Sequence, residues 1–218
     1  MTFPVLLAFD TSGAFCTAAI HTGTIRKSRF EKMKRGQAES LMPMLKQLLS
    51  DQGLCFSDVD GIGVGIGPGN FAGIRISVSA ARGLAFGLNI PSVGVSLLEA
   101  IAWGRDDLRL AVINAYQNGI YAQLFEKSQI TSPCWCDLTD TSLDKIANGM
   151  NPIVIGSASD QVASLKGWTS AKSKMTQINA ILQITGTRIN QKTKKPTPLY
   201  LRPLNAKPNL KEPPKLLD

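Results

Sequence analysis

The chain has 218 residues, a formal net charge of +8 from 24 Lys and Arg against 16 Asp and Glu, and 44% hydrophobic residues. That is enough for one large packed domain or two small ones. Its single histidine excludes a histidine-based metal centre, and four scattered cysteines point to a reduced, cytoplasmic protein. No stretch reads as a membrane span, since the best candidate, 83–103, is broken by Asn89, Pro91 and Glu99. The apolar run 5–8 has no basic region before it and ends at Asp10, so it does not read as a signal peptide.

Residues 5–9 predict an apolar strand ending in Asp10-Thr11-Ser12-Gly13. A second strand over 16–20 and a third, polar edge strand over 24–30 follow at hairpin distance. Within 37–51, Leu41, Met44, Leu45, Leu48 and Leu49 share one helical face. Ser40 is its expected cap, which puts Pro43 in the first turn, and Gly53 ends it.

Six glycines then fall between Gly61 and Gly73. Alternation of glycine with Ile62, Val64 and Ile66 predicts a buried strand closely approached by another backbone. Gly67-Pro68-Gly69 forces a turn, and Asn70 caps a helix opening at Phe71 and running to about Leu88. A strand, a glycine turn and a helix N-terminus can face an anion, because free N–H groups point outward there. The run has neither a Walker lysine nor Gly-x-Gly-x-x-Gly spacing, so it fits equally a turn whose glycines serve packing. On the helix, Gly73, Ser77, Ala80, Ala81, Gly83 and Ala85 are small, while Ile74, Val78, Leu84 and Phe86 compete for the sheet. Two usable faces fit either internal packing or a partner helix.

A strand at 92–95 and a helix from Ser96 to Trp103 close the order β-β-β-α-β-α-β-α, an α/β fold with a mixed sheet. The second half loosely repeats it. Strands over 108–114 and 120–126 flank Gln117-Asn118-Gly119, a hairpin signal, and a weak strand starts at Gln129. Then come a helix over 143–150, a strand at 153–155, and helices over 159–166 and 176–190. The division is a lobe over 1–104, a smaller lobe over 105–202, and a flexible Pro/Lys tail over 203–218.

Basic residues cluster at Arg26, Lys27, Arg29, Lys32, Lys34 and Arg35, and from Arg188 through Lys192, Lys194 and Lys195 to Lys215. Such clusters either neutralise nucleic-acid phosphates or form solvated surface. Only Phe30 interrupts the first, so no platform for stacking bases is evident. No catalytic residue and no metal site is assigned. His21 lies in a turn, and neither a Ser-His-Asp nor a Cys-His system can be built around it. Cys134-Trp135-Cys136 is two ligands short of a zinc site. Asp10, at a strand end, fits either a metal-bound water in a nucleotide hydrolase or a turn. Asp58 and Asp60 read as loop charges, and the position equivalent to Asp10 in the second half is Asn114.

The segments Leu7 to Ser12, Met42 to Leu45, Gly65 to Ile76, Gly94 to Leu97 and Pro198 to Arg202 resemble the TsaB (YeaZ) family, densely through residue 100 and thinly beyond. The resemblance implies a duplicated RNase H-like, actin-like ATPase fold of two lobes with mixed sheets flanked by helices. It implies a non-catalytic scaffold that activates a paralogue, TsaD. That complex forms N6-threonylcarbamoyladenosine (t6A) on the tRNA adenosine 3′ of the anticodon, in ANN-decoding tRNAs. TsaE, an ATPase, joins the pair, and TsaC makes the threonylcarbamoyl-adenylate. The pairing runs through the two helices at 37–51 and 71–86. Expected interface residues are Leu41, Met42, Leu45, Leu49, Phe71, Gly73, Ile76, Ser77, Ala80 and Gly83. Expected nucleotide-facing residues are Asp10, Thr11, Gly67, Gly69 and Asn70, with ATP or ADP at the partner junction and no tightly bound cofactor. tRNA is expected to be met indirectly or through the basic tail, with Lys194, Lys195 and Arg202 as its cations, and self-pairing is expected when the chain is alone. Asn70, Ala72, Gln37 and Asn114 depart from the family pattern, removing hydroxyl and acidic groups. The rival reading is an actin-like ATPase or small-molecule kinase using Asp10 and the Gly67–Gly69 turn. A metalloprotease would need paired histidines.

Overall fold

The computed structural model describes residues 4–115, 119–126, 130–138, 141–191 and 194–201. Tyr116, Gln117, Asn118, Gln129, Lys192, Arg202 and the tail over 203–218 lie outside the described residues.

Two five-stranded sheets carry the same element order. The first half runs β1 (Leu6–Asp10), β2 (Phe15–His21), β3 (Arg26–Lys32), α1 (Gln37–Ser50), β4 (Gly61–Gly65), α2 (Phe71–Leu88), β5 (Ser92–Val95) and α3 (Leu97–Ala102). The second runs β6 (Arg109–Asn114), β7 (Gly119–Phe125), β8 (Cys134–Asp137), α4 (Ser142–Ala147), β9 (Ile153–Gly156), α5 (Ser159–Lys166), β10 (Ser170–Ala171) and α6 (Gln177–Arg188). The strand orders are β3-β2-β1-β4-β5 and β10-β9-β6-β7-β8. In each sheet the first three strands pair antiparallel and the last two join in parallel. The fold is thus the expected duplicated RNase H-like α/β architecture.

β1 is buried on both faces, as a central strand of a covered sheet must be. Leu7 and Phe9 point into a core shared with Leu41, Leu45 and Leu48 of α1 and Ala81 of α2. Leu6 and Ala8 point the other way, onto Ile178, Ile181 and Ile184 of α6. A helix from the second half therefore covers the first sheet. In return, Leu98 and Ile101 of α3 pack against Ala111 and Ile155 of the second sheet. The packing of α3 and α6 crosses the 104/105 division expected from the sequence.

The alternating glycines of β4 are explained by this exchange. A methyl group at Gly63 would sit 2.1 Å from Thr185 Oγ1 of α6. Ile62 and Val64 fill the opposite face. The close approach expected at 61–65 is therefore made by side chains, Thr185 and Ile181 of α6 at Gly63 and Asp10 at Gly65, and not by another backbone.

Several boundaries differ from expectation. α1 begins at Gln37, not Ser40, because Gly36 takes a left-handed conformation (φ 92°) and the chain enters the helix there. Pro43 therefore lies in the helix interior, where it and Glu39, whose carbonyl it deprives of a partner, are both exposed. Gly53 (φ 68°) closes the helix, with the Leu54 N–H donating to the Leu49 carbonyl. The weak strand expected from Gln129, which lies outside the described residues, is met by β8 only from Cys134, and β10 was not expected. α2 was not anticipated as span-like, yet by length and composition it is long and apolar enough to cross a membrane. Here its inner face lies on the sheet over β4, flanked by β1 and β5.

Candidate functional site

The β1 end, the glycine turn and the start of α2 form one knot. Asp10 Oδ1 accepts the Ser12 N–H at 3.0 Å, and Oδ2 accepts the Ser12 hydroxyl at 3.0 Å. This is an Asx-type turn, and the carboxylate points inward, 1% exposed. Burial pushes its carboxyl up to about 6, against the lowering effect of the Ser12 bonds. Thr11 Oγ1 donates to the Gly73 carbonyl at 2.7 Å, and the Asn70 N–H donates to the Ser12 carbonyl at 2.6 Å. Asn70 caps α2 as expected, accepting the Gly73 N–H at 2.9 Å. Gly67 (φ 96°) opens a cis Gly67–Pro68 bond, and its carbonyl receives the Leu97 N–H.

A cleft of about 520 Å³ opens beside this knot, between the strand ends of the two sheets. Ser12, Phe15, Lys34, Gln37, Gly69 and Asn70 line one side; Asn114, Tyr121, Ser157 and Gln177 line the other. Among the described lining residues there is no carboxylate and one cation, Lys34. Of the five residues expected to face a nucleotide, Gly69 and Asn70 border the cleft. Asp10, Thr11 and Gly67 are not among its lining residues. Asn114, the counterpart of Asp10, bonds across to Ser157, its N–H donating to Oγ at 2.9 Å and its Nδ2 to the backbone oxygen at 3.1 Å. Among the described residues no group of three metal-ligating side chains comes together.

The expected helix interface divides into two sets. Leu41, Leu45 and Leu49 are buried against the chain's own first sheet and cannot meet a partner there. Gly73 and Ser77 are buried too: a methyl group at Gly73 would lie 2.0 Å from the Thr11 carbonyl oxygen, and Ser77 Oγ donates to the Gly65 carbonyl. Most of the small-residue face thus serves internal packing. Phe71, Ile76 and Ala80 are half-buried, Phe71 against Tyr200 at 4.8 Å between ring centroids. Met42 and Gly83 are exposed.

Phe86, expected to compete for the sheet, instead points away from it and is the most exposed large apolar side chain among the described residues, at 89%. It sits on the outer face of α2 with Arg75, Ser79, Arg82, Gly83 and Gly87. Nothing approaches a methyl group placed at Gly83 or Gly87 within 4 Å. Spacing carried the signal, since 75, 79, 82, 83 and 86 share a helical face opposite the buried Gly73, Ser77 and Ala81.

Known proteins fit this architecture. The family model for TsaD, tRNA N6-adenosine threonylcarbamoyltransferase, matches residues 30–194. The TsaB protein of Escherichia coli is 30% identical over 129 residues, covering 57% of this chain and 56% of that protein. The TsaB protein of Haemophilus influenzae is 32% identical over 132 residues, covering 58% and 56%. The matches thus span little more than half the length of these curated relatives. Among solved structures, a Pseudomonas aeruginosa protein described as similar to peptidase YeaZ superposes with a TM-score of 0.74 at 24% identity, over 92% of this chain and 100% of that one. YeaZ from the same organism gives 0.65 at 24% identity, over 85% and 93%. At that identity both speak for the fold. On the family model, which matches well over half of its length, the chain belongs to the family described as TsaD, tRNA N6-adenosine threonylcarbamoyltransferase, and the relatives it resembles are TsaB (YeaZ) proteins.

Proposed function

We propose that this chain is a scaffold subunit in t6A formation, binding a TsaD-type catalytic paralogue through the outer face of α2 and the neighbouring surface of α1. The observation that carries this reading is Phe86, 89% exposed between the open backbone of Gly83 and Gly87. A large exposed aromatic beside bare helix backbone is costly to leave in water and suited to a partner helix. Met42, 40% exposed, extends the apolar surface onto α1. The contact therefore uses Met42, Ala80, Gly83 and Phe86 rather than the buried leucines.

The cleft supports the non-catalytic half of the reading. Asp10 is committed to Ser12, and the described cleft residues offer no carboxylate to hold a metal or activate water. In this reading ATP or ADP is held at the partner junction by the partner's groups, with TsaE joining the pair. The test is depletion of the protein followed by measurement of t6A in bulk tRNA. A fall in t6A that the wild-type chain restores and Phe86→Glu does not is the expected result. Unchanged t6A on depletion overturns the role in this modification. Restoration by Phe86→Glu overturns the surface. Turnover of ATP by the isolated chain, abolished by Asp10→Ala, would instead establish the ATPase reading.

A further inference from the structure

Among the described residues, no helix packs closely over one strip of the first sheet. α6 packs on β1, β2, β4 and β5, and α1 packs on β3 from the opposite face. On β3, Arg29 belongs to the α1 side, where it pairs with Asp51 at the end of α1. Strand alternation then sends Arg26, Ser28, Phe30 and Lys32 to the uncovered side. Phe30 is 65% exposed there. The β2–β3 register sets Phe15 opposite Lys32 and Thr17 opposite Phe30. The Phe15 and Phe30 rings lie 5.6 Å apart between centroids, tilted by 36°. The single aromatic read from the sequence is therefore half of a pair, made by two strands that the sequence separates.

The surroundings of this pair are cationic. Arg26, Lys32, Lys34 and Arg35 are exposed. Among the described residues none of them pairs with a carboxylate, and Glu31, the one acid on β3, alternates to the α1 side. Lys34 and Phe15 also line the cleft, so the strip runs from the edge of the sheet into it. Cations flanking an exposed Phe30 backed by a half-buried Phe15 match the two needs of single-stranded nucleic acid: a π-face for a base and charge for the phosphates beside it. Charge on an edge strand can also simply discourage edge-to-edge pairing, but that purpose does not require an exposed aromatic on the same face.

We propose that the uncovered face of β2 and β3, with Phe30 backed by Phe15 as the stacking surface and Arg26, Lys32 and Lys34 as phosphate contacts, binds single-stranded nucleic acid. The site is separate from the outer face of α2. It does not rest on the assembly proposed above, because the isolated chain shows it.

The test is fluorescence anisotropy of the full chain with a labelled single-stranded oligouridine, titrated at several salt concentrations. Three phosphate contacts predict a log–log salt slope of about −2. Phe30→Ala should weaken binding about tenfold, as loss of one stacked base does. Phe30→Leu, which keeps the apolar bulk, should weaken it similarly. Phe30→Trp should retain binding and show emission quenching on RNA addition beyond that of the wild type. Arg26→Ala with Lys32→Ala should bring the slope to about −1. A duplex of equal length should bind more weakly, its bases being hidden. Absence of binding at 50 mM salt overturns the proposal. So does binding that survives Phe30→Ala and Phe30→Leu but is lost on charge reversal of Lys207, Lys211 and Lys215, which places the contact in the tail. A shift from dimer to monomer in Phe30→Ala, without RNA binding in the wild type, makes the strip a self-contact instead.

Discussion

α2 and α5 hold equivalent places, each crossing from the fourth to the fifth strand of its sheet, yet they differ in almost every respect. α2 has 18 residues, a side-chain cap from Asn70, and a glycine turn knotted to the β1 end. α5 has 8 residues, no side-chain cap, and only Val162 and Ala163 buried. The strand ends before them diverge in parallel: Asp10 bonds inward to Ser12, Asn114 outward to Ser157. The same topology has been elaborated in one half into a long, rigidly launched helix with a free outer face. In the other half it is pared to what covers a sheet. The duplicated fold sets the frame, and the surplus length of α2 is where a binding surface has room to exist.

The comparison can be broken first at Gly73. A side chain there meets the Thr11 carbonyl oxygen, so Gly73→Val should cost about 3 kcal/mol or more and largely unfold the first half. Urea denaturation checks it, and a near-wild-type midpoint would mean the knot yields easily. The variant cannot serve as an interface probe, because the fold fails before the partner is reached.

Asp10 comes next. Its native carboxyl titrates at about 6, above its ordinary value of 3.8. The folded state therefore holds its proton more tightly, and the group weakens folding as pH rises from about 4 to 6, by up to about 3 kcal/mol above that window. Asp10→Asn can keep both contacts with Ser12 and carries no charge. It should match the wild type near pH 4 and exceed its stability at pH 7. Parallel stability profiles for the two proteins would contradict this account of Asp10. Asn114→Asp tests the other half: a second pH-dependent loss is expected only if its site is as dry as that of Asp10.

Smaller effects separate the helix start from the helix face. Asn70→Ala should cost about 1 kcal/mol, by loss of the bond from the Gly73 N–H. Gly83→Ala should instead stabilise the isolated chain by about 0.5–1 kcal/mol, since the added methyl meets nothing. Thermal midpoints moving in opposite directions within one helix would confirm that only its inner face is committed.

The elements around residues 61–88 were legible because their signals are local: alternating glycines, a Pro-Gly turn and an Asn cap. α1 was displaced because a left-handed Gly36 begins the helix without a capping side chain, and the sequence offered Ser40 instead. β8 and β10 are edge strands of four and two residues, too short for alternation to show. The site was harder to read. Periodicity finds apolar stripes on α1 and α2 but does not say which stripe the chain's own sheet takes. Leu41, Leu45 and Leu49 went inward, as did Gly73 and Ser77, leaving Phe86 outside. Nor does a linear reading show that Phe15 and Phe30 meet, since the register of β2 on β3 brings them together.

The central claim, that the outer face of α2 is a partner surface, is tested most directly by Gly83→Trp with a tagged TsaD-type partner. A methyl group at Gly83 meets nothing within 4 Å and the residue is exposed, so folding should be unchanged by thermal midpoint. Co-purification with the partner should fall at least tenfold relative to wild type. Retention of the partner at wild-type levels by this folded variant would contradict the account.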